Sequence, residues 1–328
     1  MIFLTSTVIT YIVRYFALKK KIIDIPNERS SHTVPTPRGG GLAIVAVWYA
    51  SLIYFFIRDL IAADLFYALA CGLLLTIVSL ADDLMTVHPK IRIAAQAATV
   101  GGALYFLGGL KVIDFGFFEI RNVWFLTGAA FFGLIWLINL FNFIDGIDGY
   151  AASESVFIFA ALFLFFGDST ALILATATFG FLIWNWQKAK IFMGDVGSTM
   201  LGFTFGVFAI YYQNAEKTSL IVFLILSSLF WFDATLTLIR RFLNKEQLSS
   251  AHRKHAYQRL VQSGFSHQKT VIFGMILNLI FLATAYLSIK YHKFSILFLI
   301  FVILILFMAD YFIGKRKPFE NRKKNESE

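Results

Sequence analysis

The stretch FSILFLIFVILILFMADYFI, residues 294–313, sets the fold class. It is predominantly apolar and has the length, about 20 residues, that an α-helix needs to cross the hydrocarbon core of a bilayer. Comparable runs cover residues 2–18, 41–57, 61–81, 91–107, 123–140 and 150–166 in the first half of the chain. In the second half they cover 171–186, 199–212, 220–239 and 271–287. Only helices and closed barrels satisfy their backbone groups in lipid, and runs of this length read as helices. The sequence therefore predicts an all-α, polytopic integral membrane protein with about 11 transmembrane helices.

Composition agrees and excludes much else. Of 328 residues, 58% are hydrophobic and 15% charged, and the mean hydropathy is +0.71, which rules against an ordinary soluble enzyme. The residues left over are split among many loops, the longest spanning 240–269, so no separate soluble catalytic domain is expected. The chain reads as one helical membrane domain, 1–314, followed by a basic polar cytoplasmic tail, 315–328. Cys71 lies inside an apolar run, which excludes a disulfide framework or a cysteine-based zinc site. The first run is followed by Lys19, Lys20 and Lys21 and has no small-residue cleavage site, so it reads as a retained anchor.

The net charge of +9 reports topology before it reports any nucleic-acid partner. Alternating the loops places 22 Lys and Arg on one side and 6 on the other; Arg14, inside the first run, completes the 29. The positive-inside rule then predicts an external N-terminus and a cytoplasmic C-terminus. Attraction to anionic lipid headgroups accounts for the basic clusters of the tail.

Acids gather on that cytoplasmic side. Asp82 and Asp83 end the third run, Asp145 and Asp148 lie in the loop expected after the fifth run, which reads NLFNFIDGIDG (139–149), and Asp195 lies in GDVGS (194–198) after the seventh. Each alone reads as an interfacial cap or turn. Together, and with two of them adjacent, they suggest a bound cation, because neighbouring carboxylates repel one another. An all-oxygen set of Asp and Asn suits Mg²⁺, which keeps waters or substrate phosphates in its shell, and a phosphorylated substrate follows from that.

Two glycine segments, Arg38-Gly39-Gly40-Gly41 and Gly194 to Ser198, open helices. They read either as phosphate-attracting helix N-termini or as points of close helix packing. The longest cytoplasmic loop carries Arg240, Arg241 and the segment HRKHAYQR, 252–259. His252 and His255, three apart and flanking Arg253, have the chemistry to bind a diphosphate. Asp233 reads as a partner of this basic cluster or as a substrate contact.

With these motifs in view, the sequence resembles the polyprenyl-phosphate N-acetylhexosamine-1-phosphate transferases of glycosyltransferase family 4. The resemblance is carried by DIPNERSSH (24–32), PTPRGG (35–40), the Asp82-Asp83 pair, Asn-x-x-Asn-x-x-Asp-Gly-x-x-Gly from Asn139 to Gly149, Gly-Asp-x-Gly-Ser from Gly194, and the histidine loop. Phospho-N-acetylmuramoyl-pentapeptide transferase belongs to this superfamily, but its His-x-His-x-His pattern is here His-Arg-Lys-His. That departure looks like the O-antigen-initiating branch.

The resemblance implies transfer of an N-acetylhexosamine-1-phosphate, or its 6-deoxy counterpart, from a UDP-sugar to undecaprenyl phosphate, with release of UMP. It also implies Mg²⁺, with Mn²⁺ as a substitute, and an active site facing the cytoplasm of a bacterial inner membrane; a homodimer stays open, since composition does not set the oligomeric state. Carried over by motif, Asp195 is the principal metal ligand, with Asn142 and Asp145 beside it. Asp82, Asp83, Asp145 and Asp195 form the catalytic acids, and Arg38, Asn142, His252, Arg253 and His255 the substrate-binding set. Asp82 is the family's candidate base, although a phosphate monoester with a second pKa near 6 needs little help to ionise. A covalent aspartyl-phosphate route, a muramoyl-pentapeptide substrate and a lipid-linked sugar flippase or ion-coupled transporter are the alternative readings.

Overall fold

The computed structural model describes residues 1–26, 31–248, 250 and 252–319. Asn27, Glu28, Arg29 and Ser30 of the N-terminal motif, Ala251 and the tail beyond Phe319 lie outside the described residues. Fourteen α-helices carry the fold among the described residues. They are α1 (Ile2–Lys19), α2 (Gly41–Ile57), α3 (Ala63–Ala70), α4 (Gly72–Leu84), α5 (Pro89–Leu107), α6 (Val123–Ile144) and α7 (Tyr150–Phe166). The others are α8 (Ser169–Asn185), α9 (Asp195–Asn214), α10 (Leu220–Leu226), α11 (Ser228–Leu243), α12 (Ala256–Gln262), α13 (His267–Lys290) and α14 (Ser295–Arg316). Two short antiparallel ribbons, β1 (Ile23–Asp24) with β2 (Thr36–Pro37) and β3 (Ile113–Asp114) with β4 (Glu119–Ile120), are the only strands among the described residues.

Local chemistry sets the helix ends. His88 accepts from Lys90 N–H ahead of Pro89, Asn122 accepts from Phe125, Asp168 from Thr170 and Ala171, and Ser266 from Lys269. Gly108 and Gly167 close α5 and α7 in the left-handed conformation.

The protein is an all-α membrane protein. Five helical segments are long and apolar enough to cross a bilayer: α1, the α3–α4 pair, α6, α13 and the segment ending in α14. The α10–α11 pair makes a sixth if counted as one span bent by 79°. Helices α2, α7 and α8 are apolar but shorter. Two predicted runs thus prove interrupted, one at Cys71 and one at Ser227.

At the centre stands α9, buried along nearly all its length and packed on α4, α6 and α2. Small residues allow this closeness: a Cβ on Gly202 would meet Phe141 and the Leu137 carbonyl, each at 3.0 Å. Outer helices such as α1 and α14 turn Leu, Ile and Phe outward, as a lipid-facing surface does.

The acids sit at helix ends, apart from Asp148, which lies in the loop between α6 and α7. Helix α6 continues four residues past the expected boundary at residue 140, burying Phe141 and Ile144, and within it Asn139 pairs with Gln96 of α5 through two hydrogen bonds of 2.9 and 3.2 Å. A polar residue so satisfied does not end a helix. Asn142 is therefore helical, Asp145 caps α6, Asp82 and Asp83 lie in the last turn of α4, and Asp195 begins α9.

Candidate active site

A cavity of about 290 Å³ opens at the end of the bundle where α6 and α8 finish and α7, α9 and α13 begin. Asn142, Asp145, Asp148, Asp195, Arg38 and Gln258 line it, together with His32 and His267.

Asp83 organises the back of the site. Its carboxylate accepts from the backbone N–H groups of Asp195 and Val196, both at 3.1 Å, so the positive end of α9 holds a carboxylate of the chain itself. Gly194 makes this possible: its φ is +77°, and a Cβ there would lie 2.6 Å from Asp83 Oδ2. Arg38 donates to the terminal carbonyls of α4, to Asp82 O at 3.0 Å and Asp83 O at 3.1 and 2.8 Å, while about a third of its side chain stays exposed.

The adjacent acids therefore face different partners. Asp82 Oδ1 accepts from Val87 N–H at 2.8 Å, and Oδ2 pairs with Arg92 at 2.8 Å. The same guanidinium reaches Asp195 Oδ2 at 3.2 Å, so Arg92 bridges Asp82 and Asp195. Asn142 donates to Asp195 Oδ2 at 3.4 Å and accepts from Ser198.

Electrostatically the site is short of positive charge. Burial, then Asp195, Asp83 and Asp148, push the Asp145 carboxyl well above the usual carboxylate range. Among the described residues no three of His, Cys, Asp and Glu form a ready-made metal cage. Mg²⁺ does not require one, since it commonly uses one or two carboxylates and completes its shell with water and phosphate oxygens. Crowded, desolvated carboxylates fit such an ion.

The glycines at the start of α2 serve packing. Gly40 and Gly41 N–H groups are taken by the carbonyls of Phe192 and Met193 at 2.9 and 2.8 Å. A Cβ on Gly41 would come within 2.6 Å of Gly197 N.

The histidine loop is placed beside the pocket, not in it. His255 is buried, 3.6 Å from Asp233 and stacked on Tyr257, and Asp233 also accepts from Ala256 N–H at 2.7 Å. His252 lies against His255, with ring centroids 4.9 Å apart, and the Arg253 carbonyl accepts from Gln262. Burial first, then His255 and Arg241, push the His252 imidazole down to about 4, so it is neutral near pH 7. These residues seat α12, whose Gln258 does reach the pocket.

Several pocket residues are not singled out by the sequence reading. His267 Nδ1 accepts from Asp148 N–H at 3.3 Å, and His32 Nε2 is buried without a partner among the described residues, its ring edge-on to Phe192 at 4.8 Å. Asp148, named with the other acids in sequence but given no role of its own, lines the pocket beside His267. Nothing in the sequence marks Arg92, whose role depends on two acids from other helices.

Comparison with known proteins now bears on this geometry. Residues 65–213 match the model of glycosyl transferase family 4. The chain is 33% identical to a probable undecaprenyl-phosphate N-acetylglucosaminyl 1-phosphate transferase of Bacillus subtilis, over 93% of this chain and 87% of the relative. It is 30% identical to a decaprenyl-phosphate N-acetylglucosaminephosphotransferase of Mycobacterium leprae, over 82% and 78% of the two chains. Against an undecaprenyl-phosphate alpha-N-acetylglucosaminyl 1-phosphate transferase of Escherichia coli K12 the figures are 28%, 95% and 88%. With the similarity running through nearly the whole chain, the protein belongs to glycosyl transferase family 4, among the polyprenyl-phosphate N-acetylhexosamine-1-phosphate transferases.

Proposed function

We propose that the protein transfers an N-acetylhexosamine-1-phosphate from a UDP-sugar to undecaprenyl phosphate, releasing UMP and initiating O-antigen or another cell-envelope polysaccharide. The observation that carries this is the convergence of Asp82, Asp83, Asp145 and Asp195 from three helices on one end of the bundle, in a chain similar along its length to undecaprenyl-phosphate transferases. The names of those relatives make UDP-N-acetylglucosamine the first donor to test.

In this reading an oxygen of the lipid phosphate attacks the β-phosphorus of the UDP-sugar. A new P–O bond forms, the bond to the bridging oxygen breaks, and UMP leaves with the electron pair. Near pH 7 the lipid phosphate is largely dianionic, so no strong base is required. Asp82 then serves to hold Arg92 and the Val87 N–H, and Asp83 to fix the start of α9. Arg38, His32 and His267 line the cavity with donors suited to a diphosphate. Asp195, Asn142 and Asp145 would hold Mg²⁺, or Mn²⁺ in its place, which neutralises charge on the reacting phosphates.

The excess of Lys and Arg on the side that carries this site supports a cytoplasmic active site and an external N-terminus; about 11 spans follow from counting the apolar runs, and residence in a bacterial inner membrane from the bacterial relatives. Purified protein, undecaprenyl phosphate and Mg²⁺ should be incubated with a panel of UDP-sugars and scored for UMP and lipid product. One N-acetylhexosamine donor should be favoured, chelator should abolish turnover, and Asp195→Asn should lower it by about 100-fold or more. Full activity with chelator present, or wild-type rates in the variant, would refute the reading.

A further inference from the structure

The end of the bundle that carries the active-site pocket also carries a second cavity. It lies between the C-terminal ends of α11 and α14 and beside α12, has a volume of about 650 Å³, and shares no lining residue with the first. Arg240, Arg259 and Asp310 give it a polar wall, and Leu243, Phe307 and Tyr311 an apolar one.

Charge in this cavity is not balanced. Asp310 accepts from Arg240 at 3.0 and 2.6 Å and from Arg259 at 2.6 Å, so one carboxylate serves two guanidiniums, and Lys315 on the same lining adds a further cation. Arg240, Lys254 and Arg259 all crowd one ring, that of Phe319, at 5.5, 5.3 and 5.9 Å. The Arg259 side chain is only 4% exposed, yet its Nε finds no acceptor among the described residues. A nearly desolvated guanidinium with an unused donor is a costly arrangement that a bound anion relieves.

The apolar wall leads away from water. Leu297, Ile300, Leu304, Phe307 and Tyr311 recur every three or four residues on α14 and are all exposed, forming a stripe that ends at the cavity. A soluble anion makes no use of such a stripe, whereas an acyl chain does.

We propose that this cavity binds an anionic phospholipid, with its phosphodiester between Arg240 and Arg259 and an acyl chain along α14. A phosphodiester carries a negative charge that offsets part of this cationic excess.

The test is native mass spectrometry of the full chain in detergent, titrated with dioleoylphosphatidylglycerol or dioleoylphosphatidylcholine. The anionic lipid should be retained at least tenfold more tightly, at one saturable site. Arg240→Gln should reduce its binding to the level of the zwitterionic lipid. Because Arg240 also ties α11 to α14, Lys315→Glu at the exposed end of α14 is the second variant and should weaken binding several-fold with an unchanged melting temperature. Equal retention of the two lipids, or unaltered binding in both variants, would overturn the proposal. Displacement by inorganic phosphate would overturn it in favour of a soluble-anion site, and displacement by undecaprenyl phosphate at equal concentration in favour of a polyprenyl-phosphate site. Binding is read without turnover, so the outcome is independent of the transfer reaction.

Discussion

Asp83 shows what the fold adds to a residue's reading in sequence. Next to Asp82 it suggests half of a metal-binding pair, and in the fold it is the anion that caps α9. His252 is a parallel case: its spacing from His255 suggests a diphosphate clamp, but burial beside His255 and Arg241 keeps it neutral. Its folded pKa, about 4, lies below the unfolded value near 6.5, so the unfolded or undocked loop binds a proton that the docked loop does not. Stability of the docked loop is therefore fully present above about pH 6.5 and is lost as pH falls toward 4. Hydrogen exchange of the α12 amides, 256–262, corrected for intrinsic rates, should show protection falling between pH 7 and pH 5. His252→Gln should flatten that dependence, and an equal slope in both proteins would count against it.

At the scale of elements, the glycines decide how close the helices come. Gly41 of α2 and Gly197 of α9 let two backbones touch beneath the pocket, whereas a Cβ on Gly101 of α5 would meet nothing within 4 Å. Gly41→Ala should cost about 1–3 kcal/mol of stability through overpacking. Gly101→Ala should instead be neutral or stabilise by about 0.5–1 kcal/mol, since alanine suits a helix interior better. Thermal unfolding of the two variants in the same detergent separates them, and equal effects would sink the packing argument. The Gly41-Gly197 contact is absent from any local pattern because it joins residues more than 150 positions apart.

For the whole molecule, the positive-inside bias makes a prediction that does not depend on catalysis. In a Cys71→Ala background, single cysteines at Lys20 and Gln247 should react with an impermeant maleimide only from the cytoplasmic side. Cysteines at Arg58 and Lys293 should react only from outside, and all four positions are exposed. Labelling of all four from one side would overturn the orientation. The two interrupted runs, at Cys71 and at the 79° bend of α10 against α11, show that an apolar run measures a segment's hydrophobicity and not its straightness.

Hydropathy and motif spacing by themselves determined the all-α membrane class, the family and the positions of the principal acids. Each of these is a property of local composition: an apolar run must leave water, and an acid at its end must sit at the boundary. Tertiary structure alone decided which carboxylate caps a helix, which one meets Arg92, and that His32 and His267 line the pocket while His252 and His255 do not. Those assignments depend on contacts between helices far apart in the chain, where packing and desolvation choose among residues that look equivalent in sequence.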